Sequence, residues 1–274
     1  MARSSDLMVP PDTAPLTLPA GSSVPSASRP GRTPNLVTPA VRRAILHRML
    51  MFRQASLDRV AAMTGASPEA LRGFRQELSH SDLPERLLQR GAGLAFTREL
   101  PQAGLLYLLL RTLRPRRIVE TGVRPGYSTA WMLAALEQNR QGELFSIGPG
   151  TVAGRAAGVP MGSVGELVPP PLRARWTLVL GNSQDRLEEV LAKAGPIDLF
   201  FSDNGPDLDR AQWELRRAWS AMAPGGVVVA HHVDANPAWA EFCRWQGLPT
   251  QVLDPGPPPM GALSVRTDPR SRSI

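Results

Sequence analysis

A chain of 274 residues, 42% of them hydrophobic and 20% charged, can build one substantial core, which excludes a fibrous or wholly disordered protein. Its longest strongly apolar stretch, 104–110, is far shorter than the roughly 20 residues of a membrane-spanning helix, and the single Cys243 can supply neither an internal disulfide nor a cysteine zinc cluster. The net charge of +7 would suit a polyanion partner, yet its distribution argues otherwise: 17 Arg face 8 Asp and Glu in residues 1–117, whereas 13 Arg and Lys193 face 16 acids in 118–274. With Ala, Pro and Gly so common, the arginines read as compositional bias and not as a nucleic-acid footprint.

Residues 1–36 are Pro- and Ser-rich with no sustained hydrophobic period, the composition of a disordered tail. From Thr38 the spacing of Val41, Ile45, Leu46 and Leu50 predicts a helix. A second is expected over Leu57–Met63, and a third after Ser67-Pro68-Glu69, with Ser67 as N-cap and proline at the first helical position. Residues 37–100 are thus expected to form a helical cap, followed by a main domain over 101–274.

That domain opens with an apolar helix from Pro101 to Leu113 and then alternates. Strands are predicted at 117–121, 143–147, 175–180, 197–202 and 226–231, and helices at 127–139, 183–193, 207–222 and 237–245. Such alternation implies an α/β fold, a Rossmann-like, doubly wound, mostly parallel sheet with helices on both faces. Thr250–Leu253 and Ala262–Arg266, separated by a proline-rich connection, are expected to add a terminal antiparallel strand pair.

Ligands of open α/β sheets bind beyond the carboxyl ends of the strands. Strand one ends in Glu120-Thr121-Gly122-Val123-Arg124-Pro125-Gly126-Tyr127-Ser128-Thr129, a glycine turn opening a helix. The Gly-x-x-x-Gly spacing fails the dinucleotide fingerprint, and no phosphate-binding Gly-Lys-Ser/Thr follows. Asp203 follows strand four, and His231-His232 follow strand five. If those strands are neighbours the three side chains converge, and a carboxylate with imidazoles suits Fe(II), Mn(II), Zn(II) or Ni(II) better than Mg(II). Successive strand residues point to opposite faces, so at most one of the two histidines is expected in the site.

"VETGVRPGYST", "LVLGNSQDRLEEVL" and "IDLFFSDNGPDLDRAQWELRRAWSAMAPGGVVVAHHVD" resemble the motifs of class I S-adenosylmethionine-dependent methyltransferases, in the small-molecule O-methyltransferase branch with its cephalosporin-hydroxylase-like relatives; the resemblance covers about residues 100–266. It implies that Glu120, Gly122, Gly126 and Ser128 surround the methionine part of S-adenosylmethionine, that Asn182 and Ser183 lie near its adenine, and that Asp203 borders it. Two departures stand out. The family's ribose-binding acid after strand two is replaced by Gly148, and its acidic pair after strand five by His231-His232.

The expected activity is methyl transfer from S-adenosylmethionine to a hydroxyl of a small molecule, as in natural-product biosynthesis, with His231 or His232 as base and Asp203 orienting it, or with Asp203, His231 and His232 holding a divalent metal ion. A metal-dependent hydroxylase-like reaction on the same fold and a non-catalytic binding subunit are the alternatives. A small-molecule substrate is expected as partner, with neither nucleic acid nor membrane; a homodimer is left open, and the expected location is cytoplasmic. Asp207 and Asp209 are expected to serve a helix N-terminus; Trp239 and Trp245 are read as core packing or an aromatic pocket wall.

Overall fold

A computed structural model describes residues 38–90, 100–149, 164–203, 205 and 207–264. The expected tail at 1–36 lies outside these residues. Six strands form one sheet in the order β3-β2-β1-β4-β5-β6: β1 (Arg117–Thr121), β2 (Glu143–Gly148), β3 (Trp176–Leu180), β4 (Ile197–Ser202), β5 (Met222–His231) and β6 (Met260–Ser264). The first five are parallel, and β6 runs antiparallel to β5. Strand order reverses between β1 and β4, which places the crevice of the fold there.

The two-residue period of the central strands divides the core. Leu199, Phe201, Val227 and Val229 face one helical layer, while Phe200 and Val228 between them face the other. The first layer holds α5 (Leu100–Leu113) and α6 (Tyr127–Asn139); the second holds α7 (Ser183–Ala194), α8 (Leu208–Ser220) and α9 (Ala238–Trp245). Helix α5 is apolar all round, so it packs as a central helix, with Leu105 to Leu110 essentially inaccessible.

The preceding helices α1 (Pro39–Met49), α2 (Gln54–Thr64), α3 (Pro68–Ser79) and α4 (Leu83–Gln89) share this first core through Ile45, Leu57, Val60, Leu71, Leu78, Leu83 and Leu87. Ser67 caps α3 by accepting from the Ala70 amide at 3.1 Å, as its sequence predicts. Where α3 meets the C-terminal end of α5, Arg111 donates to both carboxylate oxygens of Glu77, at 2.8 and 2.7 Å, and to Asn139 of α6, while Tyr107 also donates to Glu77. Burial raises the Tyr107 hydroxyl; it opposes ionisation of Glu77 as well, but the Arg111 guanidinium wins and holds that carboxyl below its usual range.

The C-terminal expectation needs correction. Thr250–Leu253 is not a strand; a single bridge, Asp254 to Met260, stands there, and β6 begins at Met260. The chain folds back over 255–259, the Asp254 amide donating to Met260 O at 3.0 Å and the Met260 amide to Asp254 O at 2.8 Å, but no strand precedes this bridge and β6 pairs with the open edge of β5. β5 also starts earlier than predicted, at Met222, because a register shift opposite Ile197–Leu199 accommodates Pro224 and Gly225.

Candidate functional site

The register of the sheet assembles the site. Thr121 of β1 lies opposite Ser202 of β4, and Ser202 lies opposite Ala230 of β5. The next residues along, Asp203 and His231, therefore emerge side by side at the mouth, and His231 Nδ1 lies 3.2 Å from Asp203 Oδ1. The Asp203 amide donates to Thr121 O at 3.0 Å, anchoring this acidic residue to the end of β1.

His232 corrects the expectation that only one histidine reaches the mouth. It has left β geometry, with φ of 54°, so its side chain does not alternate to the far face. The two imidazoles lie 4.3 Å apart between centroids, and Asp203, His231 and His232 each offer a ligand atom within 4.8 Å of the others. Burial and the neighbouring His231 lower the His232 pKa, with Asp203 opposing, so the ring favours the neutral form that can accept a proton or a metal. A two-nitrogen, one-carboxylate donor set fits a borderline transition ion.

The glycine turn forms the opposite wall. Gly126 is the N-cap of α6 with φ of 92°, a conformation that glycine adopts without steric cost, and an added Cβ would meet Gly165 Cα and Val168 Cγ2, each at 2.9 Å. The α6 N-terminus, with its amides and positive dipole end, stands at the crevice. Ser128 in its first turn and Gly122 line a cavity of about 160 Å³ together with Gln102, Phe201, Asp203 and His231. This is less than the roughly 300–1,000 Å³ that encloses a drug-sized ligand, so it would accommodate only part of one.

Glu120 is fully buried below this turn. Its carboxylate accepts from Ser128 Oγ at 2.7 Å, Thr129 Oγ1 at 2.9 Å and Ser146 Oγ at 2.7 Å, and Ser146 in turn accepts from Trp176 Nε1 at 2.9 Å. Burial nevertheless dominates the three hydroxyls and pushes the Glu120 pKa up to about 7. Glu120 thus underpins the Ser128 turn from beneath.

The other named positions lie toward the β2 and β3 side. Gly148 is buried, and a Cβ there would meet Val164 Cγ1 at 2.7 Å, so the volume an acidic side chain would need is already filled. Asn182 caps α7, accepting from the Gln184 amide, and Ser183 is buried in the first turn of that helix. Neither these two nor Gly148 lines the cavity beside Asp203. Asp207 caps α8 through the Arg210 amide at 3.1 Å. Trp239 is core, its ring covering Gly261 and its Nε1 donating to Gln251 O, while Trp245 is exposed beside Arg216.

Sequence reasoning passed over Ser146 and Gln102. Each carried a signal, as a polar residue inside an otherwise apolar strand or helix.

Residues 119–233 match the family model described as methyltransferase domain, and a reversed sheet order with an antiparallel last strand is the fold of such methyltransferases. Over 155 residues the chain is 29% identical to a catechol O-methyltransferase of Niastella koreensis, a match spanning 51% of this chain and 65% of that protein, under two thirds of its length. The fold is shared with the methyltransferase PaMTH1 of Podospora anserina, solved with S-adenosylhomocysteine, at 16% identity over 79% of this chain and 97% of that one, TM-score 0.50. The O-methyltransferase TomG of Streptomyces achromogenes, solved with S-adenosylmethionine, is 27% identical over 61% of this chain and 67% of its own, TM-score 0.40. Among the described residues no helix is long and apolar enough to cross a membrane.

Proposed function

We propose that this chain transfers a methyl group from S-adenosylmethionine to a hydroxyl of a small molecule. The observation that carries the reading is that the Gly122–Ser128 turn lines one cavity at the strand ends together with Asp203 and His231, beside which His232 completes the cluster. The α6 N-terminus offers backbone donors to the cofactor carboxylate, while the Ser128 hydroxyl is turned down onto the buried Glu120. The acceptor oxygen gives its proton to a histidine of the cluster and attacks the sulfonium methyl in line; the carbon–sulfur bond breaks and S-adenosylhomocysteine departs. The protein contributes alignment, exclusion of water and the base, with Asp203 orienting His231.

A metal-assisted form of this reaction is favoured by the three donors within 4.8 Å. An ion held by Asp203, His231 and His232 would lower the pKa of the acceptor hydroxyl. Gly148, with its side-chain volume taken by Val164, leaves the ribose without a carboxylate from β2, so recognition there rests on backbone and on contacts to other segments. The substrate is a small molecule, and the location proposed is cytoplasmic.

Calorimetry with S-adenosylmethionine and S-adenosylhomocysteine, followed by an assay for S-adenosylhomocysteine release with catechol, tests the reading. Binding of both with catechol-dependent turnover is expected; no binding at millimolar cofactor overturns it. Transfer unchanged by EDTA in metal-free protein would leave the histidine base and remove the metal form.

A further inference from the structure

The turn that opens α6 carries a cation that the chemistry above does not use. Its backbone is pinned on two sides: the Gly122 and Val123 amides donate to Ile147 O at 3.1 and 3.2 Å, and the Gly165 and Leu167 amides donate to Arg124 O and Pro125 O, each at 2.9 Å. Pro125 further disfavours a helical backbone at Arg124, so the arginine side chain leaves a fixed point. Arg124 is exposed and lines the cavity together with Asp203 and His231, where a ligand can reach it.

Two observations place its guanidinium on the acceptor side of that cavity. Arg124 Nη2 stands 3.8 Å from the point that a Cβ on Gly205 would occupy, just beyond Asp203 on the β4 side. From there its charge reaches His232 and opposes protonation of that ring. Asp203, the acid in the same cavity wall, is engaged with His231 Nδ1 at 3.2 Å, and among the described residues Arg124 has no ion-pair partner. Solvated arginines are common on a basic chain; this one differs in standing on a pinned turn, inside the cavity wall, beside the groups that receive the acceptor hydroxyl. A planar fork of N–H donors held there matches the two oxygens of a carboxylate. The carboxylate of the cofactor is served by the α6 amides, so the anion left for Arg124 belongs to the acceptor.

We propose that Arg124 is a specificity-determining residue that binds a carboxylate carried by the acceptor molecule and so holds the acceptor hydroxyl at the Asp203–His231–His232 cluster. This rests on the methyl-transfer reading, and it narrows the substrate class to small hydroxy acids.

The test titrates 2-, 3- and 4-hydroxybenzoate, and the three hydroxybenzamides of the same shape without the charge, into the free protein and into its S-adenosylhomocysteine complex, followed by ligand-observed NMR. Wild type is expected to bind at least one acid roughly tenfold tighter than its amide, the effect of one charge-assisted pair. Salt at about 0.5 M shrinks that ratio. Arg124→Gln brings it to about one with amide and S-adenosylhomocysteine affinities unchanged, and Arg124→Lys, which keeps the charge without the fork, retains part of it. Arg244→Gln, at an exposed arginine of α9, makes the same change in net charge and leaves the ratio as it was. No acid preferred over its amide in wild type, a ratio preserved in Arg124→Gln, or an equal fall in Arg244→Gln, the sign of a general attraction of anions to a basic chain, overturns the proposal. Failure to bind S-adenosylhomocysteine strikes the methyl-transfer reading alone, because the ratios are read on the free protein as well.

Discussion

His231 and Asp203, 28 positions apart in sequence, meet at 3.2 Å because β4 and β5 are parallel neighbours whose last paired residues are Ser202 and Ala230. His232 then turns into the left-handed region and adds its ring to the same cluster. The consequences of this arrangement can be measured.

Removing either histidine should suppress methyl transfer while leaving cofactor binding intact. For His232→Ala and His231→Ala a loss of about 10²–10⁴-fold in kcat is expected, the usual contribution of a positioned base. Asp203→Asn should cost less if the carboxylate only orients His231. Single-turnover rates alongside S-adenosylhomocysteine affinity check this, and full activity in both histidine variants would discard the assignment.

Glu120 should make stability depend on pH. Its folded pKa of about 7 lies above the ordinary carboxyl value of 4.5, so between these values the folded chain holds more protons than the unfolded one. The stabilisation is complete below the unfolded pKa and is lost as pH rises through about 7, an effect of about 3 kcal/mol. Glu120→Gln, which stays neutral, should flatten that part of the stability curve, as measured by urea melts from about pH 5 to 8. An unchanged slope would show that Glu120 does not titrate in this range.

Restoring an acid at Gly148 should harm the protein. An Asp side chain there meets Val164 at once, since even a Cβ would lie 2.7 Å from its Cγ1. Gly148→Asp is expected to destabilise by about 1–3 kcal/mol through overpacking and to leave cofactor affinity no tighter. Pairing it with Val164→Ala tests the cause, because relief of the clash should recover much of the lost stability.

The Arg111–Glu77 pair should tie α3 to α5. Arg111→Met leaves Glu77 half-buried without its cation and Asn139 without a donor, at an expected cost of about 2–3 kcal/mol. Denaturant unfolding measures it, and a double variant with Glu77→Gln should cost less than the sum of the singles.

The elements of the main domain were readable along the chain because each signal is local. The β-branched and aromatic runs of β1 and β4, the Asp207 helix start and the Gly122–Gly126 turn depend on neighbours a few residues away. Thr250–Leu253 misled because a short apolar run has no period long enough to separate a strand from a loop held by side-chain contacts.

The sequence by itself therefore determined the alternation of strands and helices, the glycine turn and which residue types stand at the strand ends. Tertiary structure decided what those residues can do together. The φ of His232 put both imidazoles beside Asp203, Val164 closed the space at Gly148, and the Arg124 guanidinium came to lie beside Gly205. None of these is periodic or local: each depends on which distant backbone occupies a given volume, and that is settled only when the sheet order and the packing around it are in place.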